Sequence, residues 1–129
     1  MKLLIIDDNQ EMRQEIKYIV ADVADEIHEC GDGSDAVAAY ERHRPDWVLM
    51  DIVMKDMDGL EATRLIKSRW PEARIVMVTS YDDSDLKKAA RSAGAYEYVL
   101  KENLLGLRRV LLGEATTKRL GEVSKATFD

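Results

Sequence analysis

The sequence predicts a doubly wound α/β domain built around a parallel sheet of five strands. Three observations lead there. Short apolar runs and amphipathic helical stretches alternate five times along the chain. The central runs are apolar at every position rather than at every second one, as strands covered on both faces must be. The same runs stop abruptly at polar residues, Asp7, Asp51, Thr79 and Lys101. Right-handed crossovers convert such an alternation into an open sheet with helices on both sides.

The elements follow in order. Leu3 to Ile6 is a buried strand ended by Asp7-Asp8. Asn9 caps a helix in which Met12, Ile16, Ile19, Val20 and Val23 recur at helical spacing. Ile27 to Cys30 reads as a weaker strand near an edge, and Gly31-Asp32-Gly33 as a turn. Ser34 is the expected cap of a helix that runs to about Arg44, before Pro45. Trp47 to Met50 is the next strand, ended by Asp51. Asp58 and Glu61 have the spacing of a capping box and open a helix carrying Leu60, Leu65 and Ile66, which stops before Pro71. Ile75 to Val78 is a strand ending at Thr79-Ser80. Asp82 or Asp83 caps a helix bearing Leu86, Ala89, Ala90 and Ala93, with Gly94 as its stop. Tyr96 to Leu100 is the last strand, and Asn103 caps a final helix with Leu104, Leu107, Val110 and Leu111, slightly weakened by Gly106. After Gly113 the chain is polar with little periodicity, which suggests a loose tail or a short helical extension.

A chain of 129 residues suits one domain with a core large enough to need no disulfide or structural metal. The balance of 46% hydrophobic and 34% charged residues is that of a globular protein. The net charge of -6 opposes general attraction to nucleic acid or anionic membranes, although a local basic patch is compatible with it. Cys30 is the single cysteine, so no internal disulfide forms and a reducing compartment is the simplest reading. No apolar run approaches a membrane span, and the short Met1 to Ile6 run is cut off by Asp7 and Asp8 before it resembles a signal peptide. The expectation is a cytoplasmic protein without membrane partners.

The strand ends carry the chemistry. In a parallel sheet the C-terminal strand ends share one edge, and ligands bind in the crevice outside them. Asp7, Asp8, Asp51, Thr79 and Lys101 are therefore expected to converge. Clustered carboxylates repel one another, and a bound cation relieves that. Oxygen-only ligands suit Mg²⁺, and neither His28 nor His43 ends a central strand to suggest zinc. A cation, an ammonium and a hydroxyl together can receive a phosphoryl group, and a central carboxylate can act as the nucleophile. Singly, each residue has a plainer reading: helix caps for Asp7-Asp8 and Thr79-Ser80, a solvated loop lysine for Lys101. Independent caps have no reason to share an edge with complementary charge, so the joint reading is preferred.

These residues resemble the response-regulator receiver domain, the CheY-like family. The matching pieces are Leu4-Ile5-Ile6-Asp7-Asp8-Asn9, Val48-Leu49-Met50-Asp51-Ile52-Val53-Met54 with Met57-Asp58-Gly59, Val78-Thr79-Ser80, Ala93-Gly94-Ala95 and Tyr98-Val99-Leu100-Lys101. They come in the family's order and cover about residues 2 to 113. The resemblance implies a flavodoxin-like (βα)5 fold with strand order 2-1-3-4-5, a receiver domain over 1–115, and a tail or start of a linker over 116–129. It implies Asp51 as phosphoacceptor, Asp8 as direct Mg²⁺ ligand with Asp7 as its water-mediated partner, and Val53 as donor of a backbone carbonyl to the metal. Thr79 and Lys101 become the phosphate-binding hydroxyl and lysine, and Tyr98 the aromatic that turns inward with the threonine. The implied donor is a phosphohistidine on a sensor histidine kinase or a histidine phosphotransfer protein. The implied output face is the fourth helix, fifth strand and fifth helix, about Asp82 to Gly113. Such a domain catalyses only its own phosphorylation and dephosphorylation.

The chain departs from the family pattern in two places. Lys55 stands where the family often has proline, and Glu102 follows Lys101 where the family often has a proline after a cis bond. The Leu-Lys-Glu ending is similar to receivers of the NarL/LuxR type, which usually carry a DNA-binding domain. The residues after Gly113 are too few for one, so the chain is either a stand-alone receiver or a piece of a longer regulator. The bulk of Val53 and Tyr81 is expected to restrict the water that would remove a phosphoryl group. Leu105 and Leu112 fall off the core stripe of the last helix, and a contiguous patch there would serve a partner or a homodimer. Cys30, Trp47 and Trp70 read as packing residues, and Lys87, Lys88, Arg91, Arg108, Arg109, Lys118 and Arg119 as a solvated face.

Two other functions compete. A Mg²⁺-dependent phosphatase with an aspartyl-phosphate intermediate commonly wants a second Asp two residues after the nucleophile, and Val53 stands there. A binding module that works without phosphorylation typically loses the acidic pair, the acceptor or the lysine, and all are present.

Overall fold

The computed structural model describes residues 1–113. The expected tail, with Lys118 and Arg119, lies outside the described residues. The strands are β1 (Lys2–Ile6), β2 (Glu26–Cys30), β3 (Trp47–Met50), β4 (Ile75–Thr79) and β5 (Glu97–Leu100). The helices are α1 (Gln10–Val20), α2 (Ala36–His43), α3 (Gly59–Arg69), α4 (Ser84–Ala93) and α5 (Leu104–Leu111). All strand pairs are parallel, in the order β2-β1-β3-β4-β5. The predicted fold and strand order are thus observed. Among the described residues, no helix is long and apolar enough to cross a membrane.

Strand alternation sorts the core into two layers. Leu4, Ile6, Val48, Met50, Ile75 and Met77 face Ala36, Ala39, Tyr40, Ala62, Ile66 and Ala90, so α2, α3 and α4 cover one side. Leu3, Ile5, Leu49, Val76, Val78 and Val99 face Ile16, Val20, Leu107, Val110 and Leu111, so α1 and α5 cover the other. The even and odd positions of β1 serve different layers, which is why its sequence is apolar throughout. Sequential neighbours turn opposite ways from β1, toward β2 on one side and β3 on the other, so the crevice opens at the ends of β1 and β3.

The edge strand β2 is half-exposed and carries Glu26, His28 and Glu29, polarity that discourages edge-to-edge pairing. It is tethered by Arg13 Nε to Glu29 Oε1 at 2.9 Å and by the Asp7 N–H donating to the Cys30 carbonyl at 3.1 Å. Burial pushes the Cys30 thiol up to about 11, helped by the charges of Asp35 and Asp32. The folded protein should therefore resist iodoacetamide near neutral pH and react once unfolded, which intact-mass spectrometry would follow; rapid labelling of the native form would contradict this burial.

Most helix starts match the sequence reading. Asn9, Asp58, Asp83 and Asn103 each accept from the amide three residues on. Asp83, not Asp82, is the α4 cap. Ser34 does not cap α2: Asp32 accepts from the Asp35 N–H and starts a 3-10 turn over Gly33–Asp35, which leads directly into the helix. Glu61 does not close the capping box reciprocally but reaches Arg64 Nη2 at 3.3 Å. The fifth strand begins at Glu97 rather than Tyr96. The described residues contain no cis peptide bond, so Lys101–Glu102 is trans.

Two side chains expected to be solvated are structural. Lys87 is buried, with Nζ 2.7 Å from Asp82 Oδ1 and 5.9 Å from the centre of the Tyr98 ring. Arg108 spans from α5 to α1, donating to the Ile19 carbonyl at 2.8 Å and to Asp22 Oδ2 at 3.0 Å.

Candidate functional site

The crevice at the strand ends collects the polar residues that the core would otherwise exclude. β1 runs out into Asp7, which is buried, and Asp8, which is exposed. β3 runs out into Asp51, buried at 7% exposure. Backbone pairing continues one step past β3, with the Asp51 N–H donating to the carbonyl of Ile6 at the end of β1 at 2.9 Å, and this holds the two acidic ends side by side. One carboxylate oxygen from each of Asp7, Asp8 and Asp51 lies within 4.8 Å of the others.

Lys101, just past β5, reaches across the edge to this cluster. Its Nζ lies 2.9 Å from Asp7 Oδ2 and 3.3 Å from Asp51 Oδ2. Burial works to lower the ammonium's pKa, but Asp7 and Asp51 outweigh it and hold the group above its ordinary value. Asp51 responds in the opposite sense. Burial, then repulsion from Asp7, pushes its carboxyl up to about 6, only partly offset by Lys101. One cation facing this many carboxylates leaves negative charge to spare.

The two buried carboxylates differ in how well their oxygens are met. Asp7 Oδ1 accepts from the Asn9 N–H at 2.8 Å, and Asp51 Oδ1 accepts from the Ile52 N–H at 2.9 Å. Asp7 Oδ2 is fully buried and has the Lys101 charge beside it without a hydrogen bond of proper geometry. A buried carboxylate oxygen in that condition is costly. An orphaned oxygen, two further carboxylates and no nitrogen or sulfur donor make a set that fits a hard divalent cation.

Thr79 ends β4 between β3 and β5 and is fully buried. Its hydroxyl accepts from the Tyr81 N–H at 3.4 Å and, among the described residues, makes no hydrogen bond to the carboxylates. The convergence is therefore complete for Asp7, Asp8, Asp51 and Lys101, while Thr79 stands on the same edge, engaged within its own loop. Tyr98 is buried on β5, and its hydroxyl donates to the Tyr81 carbonyl at 2.6 Å. Burial, then the charges of Asp83 and Asp82, push the phenol up to about 12, so it remains a donor. Val53, two residues past Asp51, and Tyr81, two residues past Thr79, are each 52% exposed.

Sequence reasoning misses three contributors. Arg13 Nη1 donates to the Asp7 carbonyl at 2.6 Å, one turn into α1. Gly59 opens α3 against the end of β3: its N–H donates to the Ile52 carbonyl at 2.7 Å, and a Cβ there would lie 1.9 Å from the Asp51 carbonyl oxygen. Lys87 pairs with Asp82, next to Tyr81 in the loop that Tyr98 holds. Glycine after a capping aspartate, where a better helix former is normal, is the available signal for Gly59.

Residues 3–108 match the family model for the response regulator receiver domain. The chain is 35% identical over 120 residues to the uncharacterized transcriptional regulatory protein YhcZ of Bacillus subtilis, covering 88% of this chain and 56% of that protein. It is 38% identical over 102 residues to the chemotaxis protein CheY of Listeria monocytogenes, covering 78% of this chain and 86% of that one. Among solved structures, a LuxR-family two-component response regulator from Aurantimonas sp. SI85-9A1 superposes with a TM-score of 0.78 at 26% identity, covering 92% of this chain and 86% of that one. The chain thus spans about half the length of YhcZ but most of CheY. With its sheet order, its acidic crevice and a family match over most of its length, the chain belongs to the response regulator receiver domain family of two-component systems.

Proposed function

We propose that this domain, over residues 1–115, is a phosphoacceptor switch in which Asp51 takes a phosphoryl group from a phosphohistidine. The observation that carries the reading is the pairing of one lysine with two buried carboxylates inside a three-carboxylate cluster. Asp7, Asp8, Asp51 and the Val53 backbone carbonyl would hold Mg²⁺, which when bound supplies charge neutralisation for the incoming phosphoryl oxygens.

The chain's own residues do the rest. An Asp51 carboxylate oxygen attacks phosphorus, the bond from phosphorus to the donor's imidazole nitrogen breaks, and the imidazole leaves with that electron pair. The product is an acyl phosphate on Asp51. Lys101 moves part of its pairing from the carboxylates to a phosphoryl oxygen. The Thr79 hydroxyl turns from its own loop to donate to another, and Tyr98, hydrogen-bonded to the same loop, carries the change toward α4, β5 and α5. The phosphoryl group then acts by shifting a population rather than by opening a new fold. The donor is a sensor histidine kinase or a histidine phosphotransfer protein. The greater length of YhcZ, a transcriptional regulatory protein by name, supports a place within a longer regulator, with the output carried by a downstream partner or a DNA-binding domain.

The test is intact-mass spectrometry after incubation with acetyl phosphate, with and without Mg²⁺. A single phosphoryl adduct that requires Mg²⁺ supports the switch. Steady release of phosphate from small phosphomonoesters would instead favour the phosphatase reading.

The adduct should be long-lived. Val53 and Tyr81 follow Asp51 and Thr79 by two residues and are exposed, and we infer that their bulk restricts an attacking water. Replacing Val53 by Asn and Tyr81 by Ala should speed loss of the adduct on the order of tenfold, about 1.4 kcal/mol of barrier. A wild-type half-life of seconds, or no change in the double variant, would show that these side chains do not shield the site.

A further inference from the structure

Lys87 is the only basic side chain that the fold buries among the described residues. Its position makes that burial unfavourable in two ways. A buried ammonium gives up its hydration. As the fourth residue of α4 it also lies near the helix's amino end, where the backbone amides disfavour a cation. Packing alone would be served as well by an apolar side chain of the same length.

What offsets the cost is local. Lys87 Nζ lies 2.7 Å from Asp82 Oδ1 and 5.9 Å from the centre of the Tyr98 ring. The two adjacent acids divide their tasks: Asp83 accepts from the Leu86 N–H at 2.9 Å as the α4 cap, and Asp82 takes the lysine. Asp82 is itself exposed, so water would serve it without a partner.

The pair does fix the short loop between β4 and α4. Three contacts pin that loop: the Tyr81 N–H to the Thr79 hydroxyl at 3.4 Å, the Tyr98 hydroxyl to the Tyr81 carbonyl at 2.6 Å, and Lys87 to Asp82. The first is the longest and the weakest, so it yields first. It is also the one that holds the threonine hydroxyl.

We propose that Lys87 is a positioning residue for the phosphoryl site. Through Asp82 it ties the β4–α4 loop in the arrangement that occupies the Thr79 hydroxyl, and so restrains the turn of that hydroxyl toward a phosphoryl group. The proposal rests on the reading of Asp51 as phosphoacceptor. When the hydroxyl turns, the Tyr81 peptide must move to find another partner, and a loop tied at Asp82 resists that movement. The lysine thus sets how readily the site closes on its ligand without touching it.

The experiment has two arms, on wild type, Lys87→Met, Asp82→Asn and the double variant. The first uses no phosphodonor: nitrogen-15 relaxation of the loop amides. Wild type should give order parameters of about 0.85 at Tyr81 and Asp82, and each variant should fall below about 0.6. The second is the rate of adduct formation from acetyl phosphate in Mg²⁺, followed by intact mass. Each single variant should be about three- to tenfold faster than wild type, and the double variant no faster than the singles, because both ends of one tie are being cut. Methionine keeps the buried stem, and Asp82→Asn changes only an exposed side chain, so the second variant decides the matter if the first folds poorly. Order parameters that do not change, a loosened loop with an unchanged rate, or additive effects in the double variant would overturn the proposal. Absence of an adduct on wild type would instead sink the phosphoacceptor reading, and the role of Lys87 at the site with it, while the relaxation arm still tells whether the tie exists.

Discussion

Asp51→Asn should gain no phosphoryl mass from acetyl phosphate in Mg²⁺ and should, in metal-free buffer at neutral pH, be more stable than wild type. The first effect is chemical: an amide at this position has no carboxylate oxygen to form the acyl phosphate. The second is electrostatic and has the opposite sign. The Asp51 carboxyl is raised in the fold to about 6 from an ordinary 3.8, because it is buried beside Asp7. A raised acid favours folding in its protonated form. Its contribution is complete below about pH 3.8 and is lost as pH rises through about 6. At neutral pH the wild type therefore holds a buried charge that its surroundings resist, and the amide does not. A rise of that size costs about 3 kcal/mol at neutral pH with the attraction of Lys101 already included, so the gain on substitution should be of that order. Urea titrations of both proteins at neutral pH and near pH 4 would measure this, and the difference should shrink at the lower pH. An Mg²⁺-dependent adduct on the variant would place the nucleophile elsewhere. Equal stability at neutral pH would mean that the acidic cluster holds no net repulsion.

Gly59→Ala should destabilise the fold by about 3 kcal/mol although alanine is the better helix former. Propensity alone favours alanine by up to about 1 kcal/mol. Sterics decide against it. The added Cβ would lie 1.9 Å from the Asp51 carbonyl oxygen and 2.9 Å from Met50 Cγ. The first of these atoms is backbone and cannot swing aside, so α3 or the end of β3 must move. Because that backbone is that of Asp51, the proposed acceptor, the adduct should also form more slowly in whatever fraction remains folded. Gly31→Ala is the control: its nearest neighbour would be 3.8 Å away, and the change should stay within about 0.5 kcal/mol. Thermal melts of the two variants side by side would settle the sign. A Gly59→Ala protein as stable as wild type would mean that the α3 start is not packed on the end of β3.

What the chain reveals by itself, and what it hides, follows from where information is local. β1, β3 and β4 are plain because burial on both faces leaves uninterrupted apolar runs, and their terminal residues name the crevice. Asn9 and Asn103 are plain because a cap is satisfied three residues away. The α2 start is ambiguous because Asp32 and Ser34 are both good caps, and only the 3-10 turn decides between them. Lys87 and Arg108 read as solvated because the carboxylates that bind them, Asp82 and Asp22, are not marked by any periodicity; Asp22 lies in a different part of the chain. The close approach of Gly59 to Asp51 and the turn of the Thr79 hydroxyl toward Tyr81 are matters of distance, which spacing along a chain does not encode.

The weakly covered edge strand sets how this molecule comes apart. β2 is half-exposed where the other strands are buried, and its amides are protected chiefly by one neighbour, β1. In hydrogen exchange its protons belong to the first local opening, ahead of the amides of β3 and β4, which wait for global unfolding. The Asp7 amide is bonded to Cys30 at the end of that strand. Fraying at the rim therefore reaches the acidic pair before it reaches Asp51, so a partly opened molecule loses its acidic corner while β3 is still intact.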